Sequence, residues 1–321
     1  MTIQQIYELA IKLGIQSDFR GEKEIDHILA RRKERYEKLS KKEKQFFDLE
    51  NLTNPYSDTR ILTSGNTSKK VKKIMVGIDI SGDEVLASRM LGGFDLLLSH
   101  HPAGPALAAL DEVMHLQADI FAQYGVPIAV AQSLMHPRIE EVSRGLSPSN
   151  HQRTIDLANL LGVPYMCAHT PTDNLVAQFL RENIEEKHPK YVSDLMDLLM
   201  EIPEYQEATK LKTGPRLFSG TRDNHCGKIA VAEITGGTEG APEMYHRLAQ
   251  AGISTVIAMH LSEKHTSEAK AAHVNAIIAG HMSSDSIGVN LFLDTLEKVG
   301  IEIAPVGGFI RVSRVNSKSK Y

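Results

Sequence analysis

The chain has 321 residues, 42% of them hydrophobic, and a formal net charge of -4. That is enough apolar material for one large core or two smaller ones, while the charge balance supplies neither a basic face for nucleic acid nor a polybasic membrane anchor. Two cysteines, Cys167 and Cys226, far apart and outside any CxxC, exclude a disulfide framework and a thiolate zinc knuckle and fit a reducing cytoplasm.

"MTIQQIYELAIKLG" predicts an amphipathic helix with Glu8 in its middle rather than a signal peptide, and no apolar run reaches the length of a bilayer span. Between Glu22 and Asn51 the composition turns charged while Ile25, Ile28, Leu29, Tyr36, Leu39 and Phe46 keep helical spacing. This predicts one or two solvated helices packed on the surface, or an arm that meets another subunit or covers a site. "NPYSDTRILTSGNTSKK" is turn-rich around a short strand. From Val71, strands alternate with helices: "KIMVGIDI", then "GDEVLASRMLGG", then "FDLLLSHHP", the grammar of an α/β fold. The grammar returns in "KIAVAEI", in a helix within "APEMYHRLAQAG", and in "ISTVIAMH", which again ends on a histidine. The glycines of "TGGTEGAP" between them fit a tight strand-to-helix turn better than a phosphate cradle. The expected fold class is therefore α/β, with two similar lobes forming an internal repeat. Its divisions are residues 1–70 (N-terminal helix and charged insertion), 71–200 (first lobe) and 201–321 (second lobe).

A second pattern is shared by "VPYMCAHTPTDN" and "VNAIIAGHMSSDS": strand, small residue, histidine, three residues, aspartate, helix. His169 with Asp173, and His281 with Asp285, thus stand at strand exits. Each aspartate lies near a helix start, where backbone N–H groups and the macrodipole favour its charge. In "LLLSHHPAG" His100 and His101 lie side by side at another exit, so their rings splay and each can serve a different ion, as a dinuclear site needs. Open α/β sheets bind ligands beyond the carboxyl ends of their strands. Imidazole with carboxylate suits zinc, iron(II) or manganese better than calcium or magnesium. His260 and His265 have no carboxylate at matching spacing and read as structural or outer residues; His115, His136, His151 and His188 read as ordinary polar positions.

"SHHP" after a strand, "AHTPTD" leading into a helix and "AGHMSSD" near the C-terminus resemble the signature segments of the Nif-three-like proteins, often labelled GTP cyclohydrolase type-two homologues. The resemblance spans roughly Val71 to Val306. It implies a dinuclear metal centre between two α/β lobes, two divalent transition-metal ions per chain, and a ring-shaped homo-oligomer, commonly a hexamer. By motif position the implied metal ligands are His100, His101, Asp173, His281 and Asp285, with His169 beside the metals to orient a ligand or meet substrate. The family usually has glutamate where this chain has Asp285, the position implied to bridge the ions. The segments Glu22 to Asn51 and Ser133 to Gly162 look like insertions against a minimal member.

The function expected from these residues is a metal-dependent hydrolase of the cyclohydrolase, amidohydrolase or phosphoesterase type acting on a small molecule, with His169 as the catalytic proton carrier. The alternative is a non-enzymatic metal-binding or regulatory scaffold. An open coordination position favours chemistry, and a closed shell favours the scaffold.

Overall fold

"KIMVG" and "LLLS" are uninterrupted apolar runs because the strands they form are covered on both faces, as parallel strands generally are. The computed structural model describes residues 1–63 and 65–315, so residues 316–321 of the expected second lobe lie outside it. Nine strands are found among the described residues: β1 (Arg60–Ile61), β2 (Lys73–Gly77), β3 (Leu96–Ser99), β4 (Tyr165–Cys167), β5 (Arg216–Ser219), β6 (Lys228–Glu233), β7 (Ile253–Ala258), β8 (Asn275–Ile278) and β9 (Glu302–Val306). They make two sheets, ordered β1-β4-β3-β2-β9 and β5-β8-β7-β6. In each sheet an antiparallel edge strand, β1 or β5, is followed by three parallel strands, β4-β3-β2 or β8-β7-β6, and the first sheet adds β9 as a fourth. The second sheet therefore repeats the first in order and direction, and the fold is α/β with two similar lobes.

Alternate residues of each strand face opposite layers. Ile74 and Val76 join Leu96 and Leu98 under the N-terminal helix Ile3–Gln16, while Met75 and Leu97 pack with Ile155, Ala158 and Tyr165 on the other face. In the second lobe Val231, Ile257 and Ile277 meet Val176, Leu180 and Leu195, whereas Ala230, Val256 and Ala276 meet Phe121, Met135 and Tyr245.

The first lobe's connections are longer. β7 reaches β8 through the single helix Glu263–Ala271, but β3 reaches β4 through five helices, of which the last, Arg153–Leu161, occupies the equivalent crossover. The additional material is thus the stretch 104–146, so the insertion expected at 133–162 begins earlier and leaves Arg153–Leu161 as part of the basic repeat. The charged segment forms the helix Glu22–Lys38, in which only Ile25 is buried, followed by short turns Lys41–Lys44 and Leu49–Leu52. This is the solvated surface helix that its composition predicts.

β9 departs from the expected division. It pairs in parallel with β2, so the chain returns to the first sheet after completing the second. The cause lies in the preceding helix, His281–Glu297. Its Ile287 packs in the second lobe, but Val289, Phe292, Leu293 and Leu296 pack on the first sheet, which delivers the following strand to that sheet's edge. A boundary at residue 201 does not separate the two sheets.

Candidate metal centre

The parallel strands of the two lobes point their carboxyl ends at one cleft, and corresponding exits carry corresponding residues. β2 is followed by Asp79, β3 by His100 and His101, and β4 by His169 and Asp173; β6 ends on Glu233, β7 is followed by His260, and β8 by His281 and Asp285. The histidine pair is fixed by its backbone: His100 N–H donates to Gly77 O (3.0 Å) and His101 N–H to Ile78 O (2.9 Å). His169 is the residue before the helix Thr170–Lys187, with Asp173 in its first turn. His281 opens the helix His281–Glu297 and Asp285 lies one turn further in. The expectation of an aspartate at the helix start thus holds for Asp173. For Asp285 it does not: the helix is preceded by Gly280, no side chain caps it, and both carboxylate oxygens of Asp285 point elsewhere.

Those oxygens face two different sets of donors. Asp285 Oδ1 lies 3.5 Å from His100 Nε2, which is itself 3.4 Å from Asp173 Oδ1. Asp285 Oδ2 lies 3.4 Å from His101 Nε2 and 3.5 Å from His281 Nε2, and the two imidazole nitrogens are 3.4 Å apart. His100 Nε2, Asp173 Oδ1 and both Asp285 oxygens are buried without a hydrogen-bond partner. Buried polar atoms are nearly always satisfied, and donors of one tetrahedral zinc ion, each about 2.0–2.1 Å from it, lie roughly 3.3–3.4 Å apart. The orphaned atoms and their spacing fit metal ions, and these His and Asp groups could hold them.

The outer nitrogens are committed. His100 Nδ1 meets Thr172 Oγ1 at 2.9 Å, His101 Nδ1 meets Asp79 Oδ1 at 2.8 Å, and His169 Nδ1 meets Asp58 Oδ2 at 2.8 Å. Such contacts orient a ring and leave Nε2 for the cleft. Burial drives His100 down to about 4, against the pull of Asp285, and does the same to His281. Both are thus held as neutral imidazoles, the form that binds metal. Burial acts on His101 too, but its bonds to Asp285 and Asp79 outweigh it and raise the ring to about 9. Burial, and then the charges of Asp285 and Asp58, push Asp173 well above the usual carboxylate range. Asp285 is held charged: burial opposes this, but the three histidines around it win. Two buried carboxylates on one set of rings are an arrangement that a cation relieves.

Residues 56–306 match the Duf34/NIF3 (NGG1p interacting factor 3) family. The chain belongs to the Duf34/NIF3 family. A NIF3 superfamily protein from Sphaerobacter thermophilus is 28% identical, with a TM-score of 0.72 over 79% of this chain and 92% of that one. Reduced HcgD from Methanocaldococcus jannaschii is 16% identical, with a TM-score of 0.49 over 81% of this chain and 93% of that one. No curated protein matches the sequence.

All six residues singled out in this Duf34/NIF3 sequence, His100, His101, His169, Asp173, His281 and Asp285, come together in the cleft. Sequence reading missed Asp58, Asp79 and Thr172, which hold the rings from behind, and Glu239, which accepts from His260 at 2.8 Å and stands 3.3 Å from His265 Nδ1. His260 has a carboxylate partner after all, and its ring lies 4.6 Å from that of His281. The repeat held the signal for one of these residues, since Asp79 occupies a strand exit as His260 does. The glycine-rich turn, with Gly236 and Gly237 at positive φ, walls the cleft beside the cluster through Thr235, Gly237, Thr238 and Glu239.

Proposed function

We propose that the protein is a dinuclear metal-dependent hydrolase acting on a small molecule. The observation that carries this reading is Asp285, whose two buried, unbonded oxygens face separate donor sets. One divalent ion would be held by His100, Asp173 and Asp285 Oδ1, the second by His101, His281 and Asp285 Oδ2, with zinc, iron or manganese suited to the donors. Such ions supply Lewis acidity that polarises a substrate and favours deprotonation of a nearby water. His169 carries the proton: Asp58 fixes its Nδ1 and leaves Nε2 aimed at the cleft, 3.9 Å from Asp173 Oδ2.

Exposure favours chemistry over a closed scaffold site. The side chains of His100, Asp173 and Asp285 are 1%, 5% and 0% exposed, but His101 and His281 are 23% and 38% exposed, so one side of the cluster opens to solvent. The space against His169 and His260 measures about 30 Å3, room for a water but not a substrate, which must approach from the open side. A closed homo-oligomer is supported by Leu86, Met90, Leu91 and Leu160, which lie exposed on the neighbouring helices Gly82–Leu91 and Arg153–Leu161. Among the described residues no helix is long and apolar enough to cross a membrane, and the two buried free cysteines suit a reducing cytoplasm.

The test is elemental analysis of protein purified without chelator, followed by a screen of amide, amidine and phosphoester substrates. About two transition-metal ions per chain and metal-dependent turnover are expected. Absence of metal, with added zinc and manganese also failing to bind, would remove the reading.

A further inference from the structure

A cavity of about 960 Å3 lies away from the metal cluster, between the charged helix Glu22–Lys38 and the helices His115–Gln123 and Ile128–Leu146. Both walls come from segments outside the repeated strands. The floor is apolar, with Ile28, Leu116, Met135 and Ile139. Four arginines line it, and two of them serve the fold. Arg20 is bound to Asp18 through two nitrogens, and Arg32 donates to the carbonyl of Asn54 at 3.2 Å. Arg31 and Arg35 are different: they stand one helical turn apart, exposed, with no hydrogen-bond or ion-pair partner among the described residues. His27 lies one turn before Arg31 on the same face.

Three acids, Glu24, Glu112 and Asp119, lie on the walls. Asp119 faces Arg20 at 3.9 Å and Glu112 faces Asn51 at 3.4 Å. Glu24 stands seven residues before Arg31, about 10 Å along the helix axis. Asp119 thus lies by Arg20 and Glu112 by Asn51 and Arg32, and neither is paired with Arg31 or Arg35.

We infer that this cavity binds a small molecule carrying a di- or triphosphate, with its phosphates on Arg31 and Arg35 and its less polar end on the apolar floor. Guanidinium groups take phosphate through paired hydrogen bonds. Two of them a turn apart, about 6 Å along the axis, match successive phosphoryl groups better than a single carboxylate. The volume is that of a cavity for a ligand of nucleotide size. The site is independent of the proposed hydrolase chemistry.

Titration calorimetry of the full chain with inorganic pyrophosphate and with ADP tests it. Saturable binding of one equivalent is expected, with ADP tighter than pyrophosphate because only ADP reaches the floor. Arg31→Gln with Arg35→Gln should weaken both by at least about a hundredfold, tenfold or more for each charge-assisted contact. His101→Ala, in the metal cluster, should leave both affinities within about twofold. The two arginines are exposed, and an unchanged circular dichroism spectrum verifies that the double variant folds. Failure of both probes to bind wild type, affinity unaltered by the arginine changes, or loss of binding in His101→Ala would each overturn the inference. So would binding of an acidic peptide but neither phosphate.

Discussion

Replacing Gly288 by alanine puts a methyl group where the helix His281–Glu297 crosses Thr170–Lys187. The added Cβ would sit 2.1 Å from the carbonyl oxygen of Thr172, against 3.0 Å as the least that real Cβ contacts show. Backbone cannot swing aside like a flexible side chain, so the helices must part by roughly 1 Å, at an overpacking cost of about 1–3 kcal/mol. Alanine's helix preference offsets about 1 kcal/mol of that, leaving a modest loss of stability. The effect on the cluster is larger. Asp285 rides on the displaced helix one turn from Gly288, while Thr172 holds His100, so the 3.5 Å gap between Asp285 Oδ1 and His100 Nε2 opens. The assay is unfolding temperature with and without zinc. At a hundred times its dissociation constant, zinc adds about 2.7 kcal/mol per site, roughly 5 °C for a chain of this size. Gly288→Ala should lose most of that shift. Gly145→Ala, in the helix Ile128–Leu146 with open space around it, should keep the shift and gain up to about 1 kcal/mol. A Gly288→Ala protein with wild-type metal content and the full zinc shift would refute the argument that this close approach sets the cluster's spacing.

Asp285→Asn removes the charge shared by both donor sets, so calorimetry should find both ions weakened, whereas His101→Ala should empty mainly one; two tight ions in Asp285→Asn would rule out bridging. Metal loading should be proton-coupled: metal-free His101 titrates near 9, metal takes the neutral ring, and affinity should rise about tenfold per pH unit from 7 towards 9. A pH-independent affinity would contradict this. The same raised value stabilises the metal-free fold below about 6.5, the unfolded ring's value, and that contribution vanishes as pH climbs through 9; urea unfolding of stripped protein at pH 6 and pH 9 measures it. Asp58→Asn should preserve metal content while lowering turnover about a hundredfold or more, because it frees His169 Nδ1; equal turnover would remove His169 from the proton path.

The two HxxxD segments and the HisHis pair were legible because each chemistry-bearing residue directly follows an apolar strand, where period and position coincide. Asp58 and Thr172 were not. Asp58 sits in a turn-rich stretch whose composition suits any loop, and only the pairing of β1 with β4 brings it to His169. Thr172 reads as an ordinary helix-start threonine until His100 arrives from another strand. The return of β9 to the first sheet was equally hidden, because Glu302–Val306 has the same strand signature whichever edge receives it. What decides the edge is the apolar face of the preceding helix, a tertiary fact.

That return has a consequence for how the chain is made. β2 ends at Gly77 and its partner β9 begins at Glu302, so a ribosome moving at 5–20 residues per second separates their synthesis by roughly 10–45 s. During that interval the first sheet presents β2 as a bare edge to whatever strand is nearby, including one from a neighbouring nascent chain. The cluster waits as well, since His281 and Asp285 emerge only just before β9. Assembly of the full set of His and Asp groups thereby waits until residue 285 has been translated.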